Sequence, residues 1–171
     1  ANDINYEAID SIMRCRSNAQ LVVFPMTNSG YGMAGTTHCT EDSPLTPTSL
    51  YGRTKVAAEN RVLQGENTVS LRLATVFGMS PNMRWDLLVN DFTRRAVQDR
   101  TITVFEGGFR RNFVHIRDVA ECFAWFLGPQ WHNRKPAHKV FNLGNDAANM
   151  TKLQLAEKVA GIVGNVYVHE A

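Results

Sequence analysis

Hydrophobic and polar positions in this chain alternate between two periods. Ile4, Ala8, Ile9, Ile12 and Met13 recur at helical spacing behind the capping candidates Asn2 and Asp3, which predicts a helix near residues 3–17. Leu21-Val22-Val23-Phe24 is a short unbroken apolar run, the pattern of a strand covered on both faces of a parallel sheet. Three prolines and scattered glycines then break any period over residues 25–48, so a long loop is expected there. A loop of that length in a compact domain usually serves a function. A helix is expected over residues 49–64, stopping at Gly65, and a strand over Val69-Ser70-Leu71-Arg72-Leu73.

The second half repeats the alternation. Leu88, Phe92 and Ala96 share one face of a helix expected over residues 85–99, and Thr101-Ile102-Thr103-Val104 reads as a strand. Residues Ile116 to Leu127 form an apolar helical run ended by Gly128-Pro129. Val140-Phe141-Asn142-Leu143 is strand-like, Thr151 and Gln154 have the spacing of a capping box, Gly164 would end that helix, and Val166-Tyr167-Val168 reads as a strand. Strands separated by helices imply an α/β layer architecture.

Composition narrows the function classes. The 171 residues carry 18 Lys and Arg against 16 Asp and Glu, a net charge of +2, with 44% hydrophobic residues. That balance suits a globular domain with a core of its own and gives no electrostatic footprint for nucleic acid. The longest apolar stretches are too short to span a bilayer, so no membrane partner is expected. The opening Ala-Asn-Asp-Ile-Asn-Tyr-Glu does not have the pattern of a signal peptide. Cys15, Cys39 and Cys122 are scattered and odd in number, so a reducing, cytoplasmic setting is expected. His38 beside Cys39 lacks a second ligand pair at zinc-like spacing, and no metal is expected.

Candidate chemistry begins at Tyr51-Gly-Arg-Thr-Lys55. A spacing of four places both side chains on one helix face. A free tyrosine titrates near pH 10, so it is a poor base at neutrality, and a neighbouring ammonium stabilises its phenolate. The pair is a sensible proton-transfer unit, although the same spacing also occurs in exposed amphipathic helices. Its context favours chemistry. Thr27 and Ser29 follow the buried strand, and ligand sites in open α/β sheets lie beyond the carboxyl ends of strands. The bland reading of Ser29 is turn formation.

Several motifs then occur in order: Thr27-x-x-x-Tyr31-Gly32, Glu41-x-x-Pro44, and Pro47-x-Ser49-x-Tyr51-Gly52-x-x-Lys55-x-x-x-Glu59. Leu71-Arg72-Leu73-Ala74-Thr75-Val76-Phe77-Gly78 follows, then Arg111-Asn112-Phe113-Val114-His115-Ile116-Arg117-Asp118-Val119-Ala120 and Phe141-Asn142-Leu143-Gly144. The ordered set resembles the extended short-chain dehydrogenase/reductases, in particular the nucleotide-sugar epimerase/dehydratase group that includes UDP-galactose 4-epimerase. The resemblance implies the C-terminal part of a Rossmann-like doubly wound parallel sheet plus a smaller α/β substrate-binding lobe. Residues 1–80 would belong to the NAD(P)-binding domain, and residues 81–171 mainly to the lobe, with a returning Rossmann strand and helix.

Carried over by residue, the resemblance makes Tyr51 the catalytic acid/base, Lys55 its partner and a ligand of the nicotinamide ribose, and Thr27 the hydroxyl that binds the sugar oxygen. Thr75 is placed at the cofactor. Arg111 matches an arginine that grips the substrate diphosphate, Ser29 is the second hydroxyl, and Arg84 and Asn90 align loosely with nucleotide contacts. His115 is read as structural, and Arg110 as a solvated neighbour. The implied cofactor is NAD, with NADP an alternative, the partner a nucleotide sugar, and the full-length assembly a homodimer. The implied reaction is epimerisation by transient oxidation of a sugar hydroxyl. A reductase, a dehydratase and a non-catalytic binding member are the alternatives.

Two departures qualify the match. The family opens on a G-x-x-G-x-x-G turn that cradles the dinucleotide pyrophosphate, and nothing here matches it, so the chain is expected to be a fragment. Dehydratases of the family carry acidic residues just after the threonine, where this chain has Asn28 and Ser29. That favours epimerisation or carbonyl reduction over loss of water.

Overall fold

A polar residue in the middle of a buried strand needs a partner, and the first half of this chain is organised around one such case. The computed structural model describes residues 2–33, 38–132 and 139–171, and it divides into two compact units. The first comprises residues 1–73 and 120–143. A π-helical turn (Asp3–Glu7) leads into α1 (Ala8–Cys15), followed by β1 (Val22–Thr27), a 3-10 turn (Asn28–Tyr31), α2 (Leu50–Leu63) and β2 (Thr68–Leu73). The unit also holds most of α4 (Ile116–Leu127), α5 (Pro129–His132) and β6 (Val140–Leu143). The strands form a parallel sheet in the order β1-β2-β6, with Val22 opposite Thr68 and Leu71 opposite Phe141.

The period of two along a strand assigns the faces. Phe24 and Met26 of β1 pack with Met13 of α1 and Ala58 and Val62 of α2. Val69 and Leu71 of β2 pack with Phe126 and Trp131 on the other face. The alternate residues Ser70 and Arg72 therefore point toward α2, where Glu59 receives both. Both faces of the sheet are covered, which is why β2 is buried along nearly its whole length.

The structure corrects two expectations here. The strand expected to end at Phe24 continues through Pro25 and Met26 to Thr27, and the loop expected from residue 25 starts later and contains a helical turn. Proline interrupts a strand only where its missing N–H is needed. Among the described strands β1 pairs with β2 alone, so Pro25 is tolerated. The first helix also stops at Cys15 rather than near residue 17.

The second unit comprises residues 74–119 and 144–171. It contains β3 (Thr75–Phe77), α3 (Leu88–Gln98), β4 (Thr101–Val104), β5 (Arg110–His115), a 3-10 turn (Asp146–Ala148), β7 (Asn149–Thr151), α6 (Lys152–Val163) and β8 (Tyr167–Glu170). Strand β5 lies between β3, parallel to it, and β7, antiparallel, while β4 pairs in parallel with β8. Phe92, Ala96, Ile102, Val104, Phe113, Leu155 and Val159 form the core. The expected capping box is present: Thr151 accepts from Gln154 N, and the Gln154 side chain returns to Thr151 N. Gly164 ends α6 with a φ of 75°. The chain leaves the first unit after Leu73 and returns to it for residues 120–143.

Candidate functional site

In the first unit, Thr27 is the last residue of β1 and therefore stands at the carboxyl end of a parallel strand. Its Oγ1 accepts from Ser29 N at 3.2 Å, which turns the chain into the 3-10 turn. The hydroxyl proton of Thr27 is left to donate elsewhere. Ser49 caps α2 by accepting from Gly52 N at 3.0 Å. Tyr51 and Lys55 then lie one turn apart on the first half of that helix.

Gly52 decides how closely the helix approaches the turn. A Cβ at this position would lie 2.9 Å from Pro47 Cβ and 3.2 Å from Ser29 O. Its absence lets the N-terminal turn of α2 close onto the segment carrying Thr27 and Ser29. Gly32 does the same on the far side: with φ +72° its missing side chain leaves room for Thr46 O. The structure thus brings Thr27, Ser29, Tyr51 and Lys55 to one end of the sheet.

Their environments differ. Tyr51 is 49% exposed, and its phenol has no hydrogen-bond partner among the described residues. Lys55 is half-buried; its Nζ donates to Pro25 O at 2.6 Å and lies 4.2 Å from the centre of the Phe24 ring. Burial pushes the Lys55 ammonium below its ordinary value, and the Glu59 carboxylate opposes that shift. Glu59 is 0% exposed. It accepts from Ser70 Oγ at 2.5 Å and pairs with Arg72, whose Nη1 donates to Tyr31 OH at 2.8 Å and to Glu41 O at 2.9 Å. Tyr31 OH donates to Asn142 Oδ1 at 2.6 Å, and burial raises its pKa. For Arg72 burial works against the charge, but the hydrogen bonds to Glu59 and Tyr31 outweigh it and hold the guanidinium charged.

The remaining candidates lie in the second unit. Thr75 and Arg111 line one cavity of about 190 Å³, with Phe113, Leu87 and Leu88 as apolar wall and Asp86 and Lys152 as further charges. Arg111 is exposed, and no carboxylate among the described residues pairs with it. Arg84 is not in this lining. Its Nε and Nη2 grip Asp86 at 2.8 and 2.7 Å, which brings the Asp86 carboxyl down to about 2. Asn90 is buried and bridges backbone, accepting from Gly78 N and donating to Arg84 O at 2.9 Å. His115 packs edge-on to Phe77.

Residues 3–144 match the family model described as "NAD dependent epimerase/dehydratase family". The chain belongs to that family. Among curated members, Protein CapI of Staphylococcus aureus is 29% identical over 168 residues, covering 85% of this chain and 49% of that protein. The chain spans about half the length of the curated relatives it matches. Two solved structures show the same fold. One is the dTDP-glucose 4,6-dehydratase of Bacillus anthracis in complex with NAD, with a TM-score of 0.83 at 19% identity over 99% of this chain and 56% of that one. The other is the UDP-glucose 4-epimerase of Thermus thermophilus in complex with NAD, with a TM-score of 0.70 at 25% identity over 89% of this chain and 51% of that one.

Sequence reasoning passed over several residues of this family member. Lys152, Asp86 and Leu87 reach the cavity through tertiary folding, and nothing local in the sequence marks them for it; Phe113, which lies in the motif after Arg111, joins them in the lining. The Glu59–Arg72–Tyr31 network did leave a signal: an arginine between Leu71 and Leu73 of a buried strand requires a buried counter-charge.

Proposed function

We propose that this chain carries the catalytic and substrate-binding residues of an NAD-dependent nucleotide-sugar epimerase. The observation that carries this reading is the arrangement at the carboxyl end of β1: a threonine hydroxyl, an exposed tyrosine and a half-buried lysine, drawn together by the side-chain-free Gly52. In the proposed reaction Tyr51 removes the proton of a sugar hydroxyl and later returns it. Lys55 stabilises the phenolate that this creates, and Glu59 helps keep Lys55 charged for that task. Thr27 donates its free hydroxyl proton to the same sugar oxygen, and Ser29 is the second polar group of that turn.

Tyr51 and Lys55 suit the nicotinamide ribose of NAD, since one presents an unpaired phenol and the other an ammonium one turn further on. When bound, NAD supplies the reversible uptake of the two electrons and hydrogen released at the sugar carbon. Arg111 is assigned to the substrate diphosphate, for which a planar guanidinium can make two parallel charge-assisted bonds. Thr75, expected at the cofactor, is assigned to the wall of the Arg111 cavity. Asn90 serves the nucleotide side by fixing the strap that carries Arg84. Epimerisation is preferred over dehydration because Asn28 and Ser29 offer no carboxylic acid beside Thr27.

The test is to incubate the protein, as its natural gene encodes it, with NAD and a panel of UDP-, dTDP- and GDP-sugars and follow the sugar carbons by NMR. A pair of interconverting epimers is expected. Accumulation of a dehydrated keto-sugar, or no conversion of any member of the panel, would overturn the assignment.

A further inference from the structure

Lys152 was not a candidate from the sequence, yet it is a second cation lining the cavity of Arg111. It is the first residue of α6, directly after the Thr151 cap. Its side chain is only 17% exposed. The ammonium has three protons to donate. Phe105 O takes one at 3.1 Å, and Glu106 Oε2 takes another at 3.0 Å. Glu106 is 66% exposed, so this ion pair is half in water and weakly held. The ammonium also lies 5.5 Å from the centre of the Phe109 ring.

The backbone at this helix start is already committed. Lys152 N donates to Phe109 O, Leu153 N to Gly107 O, and Gln154 N to Thr151 Oγ1. An anion in the cavity therefore finds no free amide in the first turn of α6 and depends on side chains. Asp86, the carboxylate in the lining, is neutralised by Arg84. Two cations, Arg111 and Lys152, remain to face an anion, beside an apolar wall of Leu87, Leu88 and Phe113.

We propose that Lys152 is a second ligand of the substrate's diphosphate, exchanging the exposed Glu106 carboxylate for a phosphate oxygen when a nucleoside diphosphate enters the cavity. This rests on the reading of the Arg111 cavity given above. Glu106 is then a competitor for the lysine, and its removal frees the ammonium. The two side chains touch but differ in role: losing Lys152 weakens binding, whereas losing Glu106 does not.

Isothermal titration of the protein with UDP, dTDP and GDP, and with their nucleosides, tests this. Lys152→Gln is expected to weaken the best-bound diphosphate roughly tenfold or more, the scale of one charged hydrogen bond, and to leave its nucleoside unchanged. Lys152→Arg should recover part of the loss, and Glu106→Gln should bind the diphosphate at least as tightly as the unmodified protein. Unchanged diphosphate affinity in Lys152→Gln, with Arg111→Ala weakened, overturns the role of Lys152 and leaves the cavity reading standing. An equal loss for diphosphate and nucleoside overturns it too, since that marks damage to the 105–109 turn rather than loss of a phosphate ligand. If the unmodified protein binds none of the three diphosphates, or Arg111→Ala binds as well as wild type, the cavity reading itself fails and this inference with it.

Discussion

Arg72 and Glu59 meet side-on inside the first unit: Arg72 Nε lies 3.0 and 3.2 Å from the two Glu59 oxygens, and Nη2 lies 2.9 Å from Oε2. Neither is more than 6% exposed. A buried pair of this kind contributes little net stability while intact, because desolvation offsets the attraction, but removing one partner strands a charge. Glu59→Gln or Arg72→Met should therefore destabilise the protein by about 3–5 kcal/mol, measured by chemical denaturation. A loss below about 1 kcal/mol would show that water reaches the pair.

Gly52 provides a second stability test. Alanine is the better helix former by about 1 kcal/mol, so on propensity alone Gly52→Ala should stabilise α2. Here the new methyl would press against Pro47 Cβ and Ser29 O. The substitution should destabilise by about 1–3 kcal/mol, the cost of overpacking, and lower turnover by displacing Tyr51 from the Thr27 turn. Increased thermal stability with unchanged turnover would contradict the close approach.

Asp86 offers a pH test. The Arg84 guanidinium holds its carboxyl at about 2, below the ordinary 3.8. A carboxyl whose folded pKa is depressed contributes stability above its unfolded pKa and loses it as pH falls through the folded value. The contribution is thus complete above about pH 4 and fades toward pH 2. In Arg84→Gln the Asp86 titration, followed by carboxyl carbon NMR, should move back up toward 3.8. An unmoved titration would assign the shift to another group.

Arg111→Ala should weaken binding of the sugar nucleotide by about 1.5–3 kcal/mol, the worth of a hydrogen bond to a charged group, and leave NAD affinity unchanged. Titration calorimetry with each ligand separates the two. Equal loss for both would remove Arg111 from the substrate side.

Much of this was legible in the residues. The apolar run Ile116–Leu127, the strand at Thr101–Val104 and the Thr151–Gln154 capping box appear where periodicity and caps placed them, because each is fixed by neighbours within a turn or two. What was missed depended on distant partners. Pro25 read as the end of a strand because the sequence does not reveal that, among the described strands, β1 pairs with β2 alone. Strand β7 is three residues long and exists because Arg111 and Arg110 of β5 pair with Met150 and Thr151. The break at Ala74, where the chain leaves β2 for β3 in another sheet, has no local marker. The Thr27, Tyr51 and Lys55 candidates stand out by their order and spacing, whereas Lys152 has no such marker, because its cavity is assembled from four separate segments.

In the proposed reaction Tyr51 moves the proton of a sugar hydroxyl. The most direct measurement is turnover of Tyr51→Phe against wild type, in the protein as its natural gene encodes it, with NAD and the nucleotide sugar that the wild type converts. Loss of a general acid/base should slow conversion by roughly 10²–10⁴ while substrate affinity stays near wild type. Turnover equal to that of wild type would contradict that role of Tyr51.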